Sequence, residues 1–164
     1  MHHPAIMPRS NVTLAFVAAL AAVVLAGCSG NTKRLSEART QVRGVCISQL
    51  GAPYRYGGHA RTGFDAGGLV HFCYREAGYE IPTYPEGQLR AGQPIEYSAI
   101  ERGDILFFRL RQQALGGDER LHSGVYVGDA KMIHSSADRD EVVSDPINTS
   151  YWEERLVAVV KILP

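Results

Sequence analysis

The stretch GFDAGGLVHF, residues 63–72, sets an aspartate and small residues directly ahead of an apolar run with helical spacing. Asp65 is an N-cap residue by type, Leu69, Val70, Cys73 and Ala77 fall on one face, and Gly78 ends the pattern, so a helix is expected over 66–77. A helix N-terminus carries unpaired backbone N–H groups and partial positive charge, which is where a chain presents a nucleophile or steadies an anion. Residue 66, the first of this helix, is alanine. The turn has the layout of a reactive site, but its side chain can form no bond to a substrate.

Working outward, helical periodicity recurs over 35–50 (Leu35, Ala38, Val42, Val45, Cys46, Leu50) and stops at Gly51 and Pro53. The Gly- and Tyr-rich segment PYRYGGHARTGFD, residues 53–65, reads as a structured loop without a regular element, and 84–92 as a short third helix. Beyond it lie short β-rich runs at 104–108, 123–127, 131–134, 141–143 and 156–163, separated by turn signals. The polar insertion RLRQQALGGDER, residues 109–120, reads as a mobile loop just before His122. Helices first and strands afterwards imply an α+β domain, with N-terminal helices on an antiparallel sheet of about five strands.

The N-terminus reads as an export signal. One positive charge, Arg9, precedes an uncharged run from Val12 to Ala26 that is shorter than the roughly 20 apolar residues of a transmembrane helix. Leu25-Ala26-Gly27-Cys28 resembles the lipobox of bacterial lipoproteins, which implies cleavage after 27 and acylation of Cys28. By the same resemblance Ser29 directs the chain to the outer membrane, facing the periplasm. The expected organisation is a signal peptide over 1–27, a lipidated tether over 28–34 and one domain over 35–164. Cleavage removes Arg9 and no acid, leaving a formal net charge of −1, a balance that does not suggest nucleic acid as a partner. It leaves Cys46 and Cys73, which in an exported protein could form one disulfide; both lie within apolar helical patterns, so buried free thiols are the favoured reading, and the sequence does not show whether the two approach closely enough to bond.

Four histidines follow the signal: His59, His71, His122 and His134. None has metal-ligand spacing, so neither a metal nor another cofactor is expected, and His71 reads as a partly buried helix residue. His122 and His134 flank a Gly-Asp turn, and hairpin pairing can set both side chains on one side of the sheet.

GAPYRYGG, GFDAGGLV, RGDILFF, HSGVYVGDAKMIHSS and a closing YW before a terminal strand occur in an order that resembles an NlpC/P60 domain, from about Leu35 to Pro164. These are papain-like cysteine peptidases of bacterial cell walls, typically D,L-endopeptidases acting on the peptidoglycan stem peptide. The resemblance sets the family's catalytic cysteine, from a DCSG motif, at Ala66, and the serine after it at Gly67. Its general-base histidine falls on His122, its third polar residue on His134 and its site tyrosine on Tyr54. Tyr54, Asp65 and Gly67 are then expected to border the substrate.

In such a site a cysteine at 66 would be held as thiolate by the helix N-terminus and a neighbouring imidazolium. His122 would protonate the leaving amine, His134 would orient that imidazole, and the N–H of residue 66 with the Tyr54 hydroxyl would stabilise the oxyanion. Cys73 cannot stand in, being about 10 Å further along the helix axis at 1.5 Å per residue. Three readings follow: an inactive envelope lipoprotein that binds stem peptides and positions or regulates other cell-wall enzymes; an active peptidase whose cysteine was exchanged for Ala66; or a structural, protein-partner lipoprotein with a vestigial groove. The departure at Gly67 beside Ala66 favours the first, since a deliberate exchange would leave the serine in place.

Overall fold

The computed structural model describes residues 32–111 and 116–163. The chain divides into two units, Met1–Ser36 and Glu37–Pro164. Of the first, only residues 32–36 are described, and they are helical. The expected signal segment, 1–27, and Cys28 lie outside the described residues.

In the second unit the backbone is helical from residue 37 to 47, helix α1, which ends three residues earlier than the periodicity suggests. Ser48 and Gln49 then turn on bonds to the carbonyls of Gly44 and Cys46. Helix α2 spans Ala66–Glu76, with Asp65 as its N-cap accepting from the Gly68 N–H as its residue type suggests. Helix α3, Pro85–Ala91, has proline in its first turn, where no backbone donor is needed.

The loop 53–65 is not devoid of regular structure: β1 (His59–Ala60) and β2 (Gly63–Phe64) pair as a two-stranded ribbon. Strands β3 (Gln93–Ile95), β4 (Ile105–Arg111), β5 (Glu119–Gly128), β6 (Lys131–Ser136), β7 (Glu141–Pro146) and β8 (Leu156–Lys161) form one sheet in the order β3-β8-β4-β5-β6-β7. All of its ladders are antiparallel. The α+β class stands, with six strands rather than about five. The sixth, β3, is three residues with a central proline at a sheet edge, too short and too weak in β-propensity to be read from sequence. A single turn of helix, α4 (Ser150–Glu153), precedes β8.

The stretch 109–120 is also not one loop. Arg109, Leu110 and Arg111 continue β4 and pair with Leu121, Arg120 and Glu119 of β5, so the long hairpin delivers His122 on a strand held on both flanks. The charged residues of this ribbon hid the alternation that would have revealed it.

The continuous apolar run Ile105-Leu106-Phe107-Phe108 is buried on both faces, as expected of a central strand between two layers. On one side, Leu106, Phe108, Leu110, Met132, Ile147, Trp152 and Val159 form a cluster closed by α4. On the other, α2 packs against β5 and β6. Cys46 of α1 and Cys73 of α2 form a disulfide, their Cα atoms 5.3 Å apart. This corrects the expectation of free thiols. The two residues do lie on apolar helix faces, but those faces meet, and only the packing of α1 on α2 brings their sulfurs together.

Candidate functional site

The first turn of α2 is held from three directions. The Asp65 carboxylate accepts from Gly68 N–H at 2.7 Å and from Gly57 N–H at 3.0 Å, so it joins the preceding loop to the helix. Burial raises its pKa, against the pull of those backbone donors. Gly68 faces the Gly58 carbonyl too closely for any Cβ. Gly67 faces the segment before α3: a Cβ there would lie 2.5 Å from the Thr83 carbonyl oxygen and 2.8 Å from Pro85 Cδ. Gln88 is fully buried and completes the junction. It donates to the carbonyls of Gly67 (2.7 Å) and Pro82 (2.9 Å) and accepts from the Ser123 hydroxyl of β5 (2.9 Å). Gly67 and Gly68 thus lie where two neighbouring backbones approach the helix.

Tyr54, Asp65, Ala66, Gly67 and His122 line one cleft of about 280 Å³, bordered also by Tyr56, Tyr84 and Arg120. Burial, then the nearby Asp65 charge, raises the Tyr54 pKa, so its hydroxyl is a neutral donor. Asp65 borders the cleft while both its oxygens serve the turn, and Gly67 offers backbone alone. Ala66 contributes a methyl group. Among the described residues no cysteine, serine or threonine lines this cleft. The two cysteines among the described residues are in the disulfide and fully buried.

The opposite wall is built by the sheet. The β5–β6 register pairs Val125 with Ile133 and Tyr126 with Met132, so His134 falls opposite Gly124 and diagonal to His122 on the same face. His122 Nε2 lies 2.9 Å from His134 Nδ1. His134 Nε2 lies 3.1 Å from Asp145 Oδ2, and Arg139 donates to both Asp145 oxygens at 2.8 and 2.6 Å. Trp152 covers the pair, its ring 5.2 Å from that of His134 and 6.4 Å from that of His122.

His122 is 1% exposed. Burial, and then the adjoining His134, hold its pKa well below the usual imidazole range, so it is neutral. The hydrogen bond from His134 holds the Asp145 carboxyl far below the usual range, with Arg139 adding to the effect, so it is ionised. A second cavity of about 290 Å³ lies along this row, lined by His134, Asp145, Arg139, Tyr151 and Trp152 among others, and His122 borders both cavities.

The remaining histidines stand apart from the pair. His59 is exposed, with Nδ1 3.2 Å from the Gly57 carbonyl. His71 is buried, its Nδ1 2.7 Å from the Ile81 carbonyl, which makes it a core residue of α2. Among the described residues no group of three His, Cys, Asp or Glu is placed to hold a metal ion.

Sequence reasoning missed Asp145, Arg139, Trp152 and Gln88. For Asp145 a signal existed: β6 pairs His134 with Val143, so a residue two positions on shares the histidine's face. Its place before Pro146 reads as a turn and conceals this.

Residues 51–161 match the NlpC/P60 family, more than half of the chain. The chain belongs to the NlpC/P60 family. It is 31% identical over 144 residues to the probable endopeptidase NlpC of Escherichia coli, covering 82% of this chain and 90% of that protein. It is 36% identical over 121 residues to murein DD-endopeptidase MepH of the same organism, covering 71% and 43%. The peptidoglycan hydrolase RipB of Mycobacterium tuberculosis superposes with a TM-score of 0.66 at 25% identity, over 80% of this chain and 68% of that one. The chain spans less than half the length of several relatives, from 23% of a probable endopeptidase of M. tuberculosis to the 43% of MepH. These relatives are named as a murein endopeptidase, a peptidoglycan hydrolase and probable endopeptidases, and the fold here is that of the family.

Proposed function

We propose that this chain is a cell-envelope member of the family that holds peptidoglycan stem peptides in the cleft between Tyr54, Ala66 and His122 and, as written, does not cut them. The observation that carries the reading is the meeting of α2's first residue and His122 in one cleft, with no cysteine, serine or threonine among the described residues that line it. A cysteine-type peptidase needs a thiolate where Ala66 stands, with His122 as its base, His134 orienting that base and Tyr54 beside the developing oxyanion. Tyr54, Asp65 and Gly67 border the bound peptide, Asp65 and Gly67 as the frame of the helix turn. Export by residues 1–27 and a lipid anchor at Cys28 put the domain on the periplasmic face of the outer membrane, where it positions or regulates other wall enzymes. The Cys46–Cys73 disulfide supports an oxidising compartment.

The reading in which an active enzyme had its cysteine exchanged for Ala66 is disfavoured by Gly67. The backbone of 83–85 occupies the space that a side chain at 67 would need, so the second departure from the DCSG pattern belongs to the packing of the whole turn.

The test sets the chain as written beside Ala66→Cys, on purified sacculi for binding and on muropeptides read by mass spectrometry. Binding by both with cleavage by the cysteine variant alone is expected. Cleavage by the chain as written would overturn the assignment of position 66. Absence of any wall binding would leave a structural or protein-partner role.

A further inference from the structure

The row His122, His134, Asp145, Arg139 has a direction that distances alone do not state. A neutral imidazole has one N–H and one acceptor nitrogen, and its tautomer follows from what each nitrogen meets. The row must therefore be read from the end whose chemistry is fixed. Arg139 is donor-only and takes both Asp145 oxygens, so that carboxylate has no proton to give. The group 3.1 Å from Asp145 Oδ2, His134 Nε2, must then donate. When that ring is neutral, a hydrogen on Nε2 leaves Nδ1 as an acceptor, and the atom 2.9 Å from it, His122 Nε2, must donate in turn. His122 then carries its proton on Nε2, and its Nδ1 is the acceptor.

From this geometry we infer that Asp145, braced by Arg139, is the positioning residue that fixes both histidines in the Nε2–H tautomer and so keeps His122 Nδ1 able to take a proton. The residue acts at two removes from the cleft. In a peptidase site the consequence is directional: His122 can receive a thiol proton only at a nitrogen that does not already hold one. For that catalytic meaning the inference rests on the function proposed above; the tautomers themselves do not depend on it. A purely structural Asp145 would hold the β6–β7 hairpin together without constraining where the protons sit.

The deciding measurement is nitrogen NMR of histidine-labelled full-length chain at pH 8, where imidazoles of ordinary pKa are neutral. The expected spectrum shows His122 and His134 each protonated at Nε2 alone. A proton on His122 Nδ1 would overturn the inference. Asp145→Asn keeps the shape but can offer His134 either an oxygen or an N–H, so two tautomer populations are expected for each ring. Asp145→Ala leaves the Arg139 donors nearest to His134 Nε2, and the row is expected to reverse, with His122 protonated at Nδ1. Arg139→Met retains the carboxylate and is expected to keep the original tautomers. Unmoved tautomers in both Asp145 variants, or a reversal in Arg139→Met, would overturn the role given to Asp145.

On muropeptides, adding Asp145→Ala to Ala66→Cys is expected to lower kcat on the order of 10³-fold with KM little changed. An undiminished kcat would overturn the positioning role. If Ala66→Cys itself cuts nothing, the failure belongs to the proposed peptidase ancestry of the site, and the spectra by themselves decide for or against Asp145.

Discussion

The helix wall of the cleft and the sheet wall differ in what they still contain. At the start of α2, the cap, the backbone donors and the close packing of 57–58 and 83–85 survive around a methyl group. Across the cleft, His122, His134, Asp145 and Arg139 are joined by hydrogen bonds from a buried ring to a half-exposed guanidinium. The difference teaches that a nucleophile and its base are separable by design of the fold. A thiol there would hang from one residue at a helix end, whereas His122 as its proposed base depends on His134 and Asp145 on neighbouring strands and on Arg139 in the turn between them. Loss of His134 or Asp145 would break a buried network.

The largest test of that contrast restores the helix wall. Ala66→Cys is expected to raise turnover on muropeptides on the order of 10⁶-fold, the scale of a nucleophile's removal in a serine protease. Adding His122→Ala should return it to background, as mass spectrometry of the products would show.

Next in size is the tie that fixes α2 in place. Replacing Cys46 and Cys73 together by alanine removes a link across 27 residues and should lower unfolding free energy by about 2–4 kcal/mol in denaturant titration. Intact-protein mass spectrometry without reductant should find both thiols oxidised.

Gly67→Ser asks whether the turn can be returned to the family's pattern. With the Thr83 carbonyl 2.5 Å from the new Cβ, it should destabilise the chain by about 1–3 kcal/mol, read as a lower Tm. A neutral result would mean that 83–85 yields easily. Asp65→Ala should cost about 1 kcal/mol through the lost cap, seen in the same melts.

The smallest effect is expected from the sheet wall, as a pH dependence. His122 has a folded pKa below its unfolded value of about 6.5. Its neutral burial therefore favours folding fully above that value, and stability falls as pH drops below it, because the unfolded chain binds the proton. Asp145, with a folded pKa depressed below its unfolded value of about 3.9, adds a further loss as pH falls through and below that range. Unfolding free energy measured from pH 8 to pH 4 should show the first slope, and His122→Gln should flatten it.

Much of the site was legible along the chain. Asp65 announced a cap, the 66–77 periodicity announced the helix, and alternation with turn signals announced the five longer strands. His122 and His134 could be paired on paper because a hairpin relates residues close in sequence by simple parity. Asp145 obeys the same parity but hides before a proline, and the paired segments 109–111 and 119–121 hide behind their charges. The disulfide was misread because two apolar helix faces give no sign, from within either helix, that they meet each other.

By itself, then, the sequence determined the helix that opens the site, the strands that carry the histidines and the absence of a thiol at residue 66. These follow from local propensity, side-chain period and chemical inventory, none of which needs a distant partner. Only the tertiary structure decided that Cys46 reaches Cys73, that Gly67 leaves room for the 83–85 backbone, and that Asp145 and Arg139 complete the row behind His122. Each of those depends on how separately formed elements dock, and a one-residue change of register or a rotated helix face would have undone it without altering any local signal.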